Sequence, residues 1–108
     1  MDLHHKHLLF DFYGAMLTQH QRECFTLHYS DDCSLAEIAE QTNISPQAVS
    51  DMLKRTIAKL EQLETKLGLV QRHIIQHETA DYLRTLIAQV EEPLRGNMLH
   101  QLNAILKT

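Results

Sequence analysis

Glycine, proline and cysteine are scarce in this chain of 108 residues, and each scarcity narrows the structures it can form. Three glycines and two prolines offer few tight turns, which favours helices. The two cysteines, Cys24 and Cys33, match no metal-binding spacing, and we expect no cofactor. The N-terminal stretch does not resemble an apolar signal segment. We therefore expect a cytoplasmic location, in which both thiols are reduced.

Long apolar runs and an excess of positive charge are also missing. No run approaches the ~18 residues of a membrane span, so we expect no membrane-spanning segment. The net charge is −4, whereas nucleic-acid-binding proteins usually carry an excess of Lys and Arg. Any contact with DNA or RNA must therefore depend on a local group of cations.

Apolar side chains recur every three to four residues, a period typical of amphipathic helices. Local signals mark three helix starts and one helix end: Thr18 with Gln21, Ser34 with Glu37, Ser45 with Pro46, and Gly68. We predict an all-α fold of six helices. Residues 1–68 form one domain in this interpretation, and residues 69–108 form a C-terminal helical extension that packs or dimerises.

A helix-turn-helix is predicted over residues 34–55. Two helices that cross around a tight turn need a small residue at their contact, and Ala39 is placed there. One turn residue must accept a positive φ, for which Asn43 is the most suitable residue after glycine. Four apolar residues at the expected offsets lock the two helices together: Ile38, Ile44, Val49 and Met52.

The second helix of this motif carries its polar side chains opposite Val49. The N-terminal part of such a helix enters the DNA major groove. There Gln47 can bond adenine, Lys54 can reach guanine or a phosphate, and Asp51 can accept from cytosine. The predicted nucleic-acid-binding residues are Gln47, Ser50, Asp51, Lys54, Arg55, Lys59 and Arg22.

The small number of basic side chains limits how strongly one copy can bind nucleic acid. Residues 18–60 contain four basic and six acidic side chains, a net charge of −2. Four phosphate contacts correspond to a salt slope of about −3.6 per subunit, so useful affinity requires a dimer. Leucines seven apart suit packing within one subunit or between two: Leu53, Leu60 and Leu67, and Leu99 with Leu106. We expect a homodimer.

Several runs resemble known bacterial proteins. Ser34–Glu40 and the stretch from Leu17 to Tyr29 resemble region 4 of sigma factors. Phe12-Tyr13, Asp31-Asp32, residues 47–51 and Lys54-Arg55-Thr56 are similar to YlxM-like small helix-turn-helix proteins, over roughly residues 8–75. The resemblance implies a regulator or accessory factor of the signal recognition particle pathway. Together with the polar face of the second helix, it leads us to predict a DNA-binding regulatory protein linked to that pathway. Pro46 departs from the family pattern, in which Arg is common.

An alternative function stays open. The acidic balance and Pro46 also suit a protein- or RNA-interaction module that acts directly on the signal recognition particle without binding DNA. His73 and His77 are four residues apart, as in two-His metal sites, but a polar helix face is the simpler interpretation. No nucleophile elbow, glycine-rich phosphate loop or acid/base pair is present, so no enzyme activity is expected.

Overall fold

The computed structural model describes residues 2–107, and every regular element within them is helical. The six α-helices are α1 Leu3–Tyr13, α2 Gln19–Phe25, α3 Leu35–Thr42, α4 Pro46–Leu67, α5 Leu69–Ile87 and α6 Leu94–Leu106. Residues 2–107 contain no strand, and the prediction of an all-α fold is confirmed. The chain divides into two compact units, of which the first ends at Val70 and the second begins at Gln71.

The helix starts follow the predicted capping chemistry. Thr18 Oγ1 accepts the N–H of Gln21 at 3.2 Å, and the Gln21 side chain accepts the N–H of Thr18 at 3.0 Å. Ser34 and Glu37 make the same reciprocal pair at 3.1 and 3.0 Å. These bonds satisfy N–H groups that have no partner within the helix, which fixes where α2 and α3 begin.

The start of α4 is capped differently. Ser45 Oγ accepts the N–H of Ala48 at 3.1 Å, and Pro46 occupies the first helical position. A proline is tolerated there because the missing N–H would have no intrahelical acceptor. The predicted start of the long helix is therefore confirmed.

Two left-handed residues set the ends of α3 and α4. Asn43 has φ 62° and ψ 35°, and its N–H donates to the carbonyl of Ala39 at 2.9 Å. Gly68 has φ 65° and ends α4 in the same way. The positive φ predicted for the helix-turn-helix turn is confirmed, and this conformation reverses the chain between α3 and α4.

The core of the first unit joins α2, α3 and α4. Its buried members are Cys24, Ile38, Ala39, Val49 and Leu53, with Met52 packed against them. Ile44, the fourth residue predicted to lock the motif, is not part of this cluster and is 37% exposed. Ile44 directly precedes Ser45, the N-cap of α4, in the turn between α3 and α4.

The segment after α2 is a π-helical turn, Thr26–Ser30, where the sequence predicts a plain continuation of the helix. The N–H of Asp31 reaches the carbonyl of Thr26 at 3.0 Å, one residue further back than in an α-helix. Phe25 stacks on Phe10 at 4.4 Å between ring centroids and contacts Tyr29 at 4.8 Å. This aromatic packing between α1 and the turn supplies an interaction that helical periodicity does not reveal.

The second unit consists of most of α5, together with α6. α5 ends at Ile87, although the apolar pattern predicts a helix up to Glu92-Pro93. The N–H of Gln89 instead donates to the carbonyl of Leu86 at 3.1 Å, and the N–H of Val90 donates to that of Ile87 at 2.9 Å. Each bond reaches back three residues instead of four, and the turn toward α6 begins here. Among the helices within residues 2–107, none has the length and apolar character needed to cross a membrane.

Candidate nucleic-acid interface

The first half of α4 has a buried side and an open side. Val49 and Leu53 are buried in the core, at 0% and 6% exposure. On the other side, Gln47, Asp51 and Lys54 are exposed. The predicted division of this helix into a core face and a polar face is therefore confirmed, because α2 and α3 cover one side of α4 and leave the other open.

The polar face carries an internal hydrogen bond. Gln47 Nε2 donates to Asp51 Oδ1 at 3.2 Å, one helical turn away. The bond occupies one donor of the Gln47 amide, and the Asp51 carboxylate lies among the exposed side chains of the face. A base contact by Gln47 would have to compete with this bond.

A basic groove lies on one side of the face. It has a volume of about 400 Å³, and its polar lining residues are Lys6, His28, Tyr29, Ser50 and Lys54. Lys6 Nζ lies 4.8 Å from the centroid of the Tyr29 ring, within the range of a cation–π interaction. The groove thus combines cations from α1 and α4.

Lys6 is a candidate residue that sequence reasoning missed. It lies on α1, far from α4 in the chain, and reaches the groove because α1 packs on α4. No local pattern marks it. The aromatic residue that orients it, Tyr29, belongs to the π-helical turn, which the sequence did not predict either.

A second groove lies on the opposite side of the polar face. Arg55 and Asp51 line it together with Thr18 and Gln21, the capping pair of α2, in a volume of about 340 Å³. Arg55 is exposed. Arg55 and Lys54 therefore line different grooves.

Three predicted contact residues line neither groove: Gln47, Arg22 and Lys59. Arg22 lines a separate cleft with Phe10 and Gln19, and its Nη1 donates to the carbonyl of Leu17 at 2.8 Å. Part of its donor capacity therefore stabilises the chain before α2. Lys59 is exposed on α4 one turn beyond Arg55.

The cations of the face are not neutralised within the described chain. Ion pairs among residues 2–107 join His5 with Glu61, Arg84 with Asp81, and Arg95 with Glu92. Lys6, Lys54, Arg55 and Lys59 take part in none of these pairs. Their charges are available to an anion in solution.

The histidines do not assemble a metal centre within residues 2–107, where no three His, Cys, Asp or Glu side chains are placed to hold an ion. His73 and His77 lie with ring centroids 4.2 Å apart on α5. Two ligands are fewer than a structural zinc site requires. A polar helix face remains the simpler interpretation of His73 and His77.

Together, the tight α3–α4 turn and the open first half of α4 define a helix-turn-helix protein. Residues 3–98 match the UPF0122 family, described as "Putative helix-turn-helix protein, YlxM / p13 like". The chain belongs to this family, which confirms the resemblance to YlxM-like proteins. The description refers to a fold and names no reaction.

Individual relatives agree with this assignment. The chain is 46% identical over 99 residues to UPF0122 proteins of Bacillus thuringiensis (strain Al Hakam), Bacillus cereus (strain AH187) and Bacillus anthracis (strain A0248). The matches cover 92% of this chain and 89% of each relative. The similarity therefore includes residues of both units.

Proposed function

We propose that this protein is a DNA-binding regulatory protein of the cytoplasm, linked to the signal recognition particle pathway as the resemblance to YlxM-like proteins implies. One observation carries the DNA-binding part. The open first half of α4 has Lys54 and Lys6 in the groove on one side and Arg55 in the groove on the other. Cations on both sides of an exposed helix suit the two phosphate backbones that border a major groove.

Each side chain of the face has a role in this proposal. Gln47 and Ser50 lie nearest the start of α4 and contact base edges, while Asp51 accepts from cytosine. Lys54 reaches guanine or a phosphate. The remaining cations contact phosphates and position the helix without reading sequence: Lys6, Arg22, Arg55 and Lys59.

The number of cations makes binding by one copy weak. Five phosphate contacts would give a salt slope of about −4.5 per subunit. A homodimer doubles this number and places two α4 helices on one DNA, and we include it in the proposal. The activity is binding, and no catalytic step is involved.

The test is a fluorescence titration of a random-sequence DNA duplex at about 50 and 200 mM salt, the range over which phosphate contacts lose most of their affinity. Wild type is compared with Lys54→Ala/Arg55→Ala and with Lys6→Ala. Lys66→Ala/Lys107→Ala removes the same charge as the double variant, away from the face. We expect the first two variants to bind more weakly and the control to bind like wild type.

Two results would contradict the proposal. Wild type that shows no salt-dependent binding would exclude DNA as the ligand of this face. An equal loss of affinity in the control pair would show that overall charge, and not the α4 face, governs binding. A smaller salt slope for Lys6→Ala would support the contribution of α1.

A second function is favoured by the chemistry at the start of α4. Pro46 has no N–H to offer a phosphate, and Asp51 places a carboxylate on the exposed face. Both features suit a surface that contacts protein, or RNA by shape, on the signal recognition particle itself. This function predicts that the purified particle GTPase or its RNA binds the chain while duplex DNA does not. If neither the particle GTPase nor its RNA binds the chain at low salt, this second function is excluded.

A further inference from the structure

α5 and α6 form a unit with a very small interior. Within residues 71–107 the buried side chains are Ala80, Ile87 and Leu102, and Leu99 and Leu106 pack against them. This part of the sequence contains no cysteine and therefore no disulfide of its own. Units shorter than about 40 residues usually need a disulfide, a metal or association with another chain.

The same two helices leave a broad apolar face open. Two adjoining grooves, of about 520 and 240 Å³, share the lining residues Leu83, Leu102 and Ile105. The face includes five large side chains that are 37% to 69% exposed: Ile75, Leu83, Leu86, Met98 and Ile105. We call these five residues the α5–α6 face. A continuous apolar surface of this kind marks an interaction site.

The charge of the unit identifies the kind of partner. Residues 71–108 contain four basic and four acidic side chains and have no net charge. The polar residues that line the two grooves are uncharged: Gln76, Thr79, Asn97 and Gln101. Such a face offers nothing to select a charged ligand, whereas two copies of it meet without electrostatic repulsion.

We infer that the α5–α6 face binds the α5–α6 face of a second copy, so that two helix pairs form one four-helix arrangement. A two-fold axis makes such an interface self-complementary, with the same residues on both sides. α5 has 19 residues and α6 has 13, which corresponds to about 28 and 20 Å of helix. Apolar faces of this kind pack together in four-helix bundles.

The dimer follows from the second unit alone. Its consequence for DNA, namely two α4 helices acting on one duplex, rests on the proposed function. Oligomeric state is measured without nucleic acid, so the dimer and DNA binding can fail separately.

The experiment uses the full chain in sedimentation velocity over the micromolar range. We expect wild type near 25 kDa, twice the chain mass of 12.5 kDa. Leu86→Glu and Ile105→Glu each place a charge on the face, and we expect both to sediment at the monomer mass. Because these positions are 44% and 69% exposed, the fold itself tolerates the change.

Matched controls carry the same substitution outside the grooves. Tyr82→Glu on α5 and Leu94→Glu on α6 replace side chains that are 64% and 56% exposed. We expect both to remain dimers, with helical circular dichroism equal to wild type in all four variants. If the face variants lose helicity, Leu86→Ser and Ile105→Ser repeat the test without a new charge.

Three outcomes would overturn the inference. The first is a wild type that stays monomeric over the micromolar range. The second is a dimer that survives both face variants, or is lost equally in both controls. The third is a complex in which a different protein occupies the face while the chain itself remains monomeric.

Discussion

The hydroxyl of Tyr13 donates to Glu64 Oε1 at 2.6 Å and joins the end of α1 to the last turn of α4. The phenol oxygen also accepts the N–H of Leu69 at 3.0 Å, and Glu64 Oε1 accepts the N–H of Val70 at 3.0 Å. Two N–H groups in the first turn of α5 are thereby satisfied, as helix starts require. Two side chains thus connect three helices.

Tyr13→Phe is expected to lower the free energy of unfolding by about 1–3 kcal/mol, because the part-buried N–H of Leu69 and the carboxylate of Glu64 each lose a partner. Tyr13 is 0% exposed. Tyr82→Phe is the matched control, since that ring is 64% exposed, and it should leave stability unchanged. Urea unfolding measures both variants. Equal midpoints for Tyr13→Phe and wild type would contradict the role of the hydroxyl.

Alkaline pH should weaken the same connection. Burial, and then the hydrogen bond to Glu64, raise the pKa of Tyr13 above its ordinary value of 10.0. The unfolded chain therefore loses this proton at a lower pH than the folded chain. The resulting stabilisation is complete below the unfolded pKa and is lost as the pH rises from there through the folded value. Unfolding free energy should fall more steeply in wild type than in Tyr13→Phe above pH about 10, and parallel curves would contradict this.

Asp51→Asn should strengthen binding to random-sequence DNA if the proposed function is correct, because such binding depends on phosphate contacts and not on the cytosine contact of Asp51. The substitution removes a carboxylate from the α4 face and weakens the hydrogen bond with Gln47. We expect a gain of about two- to fivefold, the size of one exposed charge interaction. Glu78→Gln changes the net charge equally on α5 and is the control. No gain, or an equal gain in the control, would argue against contact at this face.

The turn of the motif can be tested through its left-handed residue. Asn43→Ala should cost about 1 kcal/mol, because a Cβ at positive φ is strained and alanine lacks the polar side chain that eases it. Asn43→Gly should be neutral or slightly stabilising. Gly68 is a second left-handed position, with φ 65°. Nothing lies within 4 Å of the Cβ that Gly68→Ala adds, so only the backbone strain is tested there. Thermal unfolding in which Asn43→Ala matches Asn43→Gly would show that the turn is not strained.

The two thiols should differ in reactivity. Cys24 is 2% exposed, and burial, with a smaller effect of Glu23, raises the pKa of its thiol. The thiolate is the reactive form, so Cys24 should react slowly with a thiol reagent and Cys33, which is half-buried, faster. Cys24→Ala and Cys33→Ala assign the two phases. Fast labelling that persists in Cys33→Ala would contradict the burial of Cys24.

Features that depend on a few neighbouring residues could be predicted from the sequence. The capping pairs of α2 and α3 and the left-handed Asn43 each involve residues within one or two turns, so their chemistry can be recognised locally. Lys6 could not be found in this way, because its place beside Lys54 arises when α1 packs on α4. The π-helical turn depends on aromatic contacts with α1 and was equally hidden.

Arg22 illustrates a different limit. Its charge and position favoured a phosphate contact, but the sequence does not show that the Leu17 carbonyl lies within reach of its guanidinium group. Leu67 shows the same limit among apolar residues. It continues the spacing of Leu53 and Leu60, which are buried, yet it is 52% exposed at the end of α4.

Pro46 determines which atoms of α4 can hold a ligand. The first turn of a helix ordinarily exposes several main-chain N–H groups to an anion, but here proline removes one and Ser45 occupies that of Ala48. Among the first three positions of α4, this leaves the N–H of Gln47. Any contact with a phosphate near this end of α4 must therefore come mainly from long side chains. Such contacts are sensitive to the surrounding ions, so under the proposed function the salt concentration would determine how strongly α4 holds DNA.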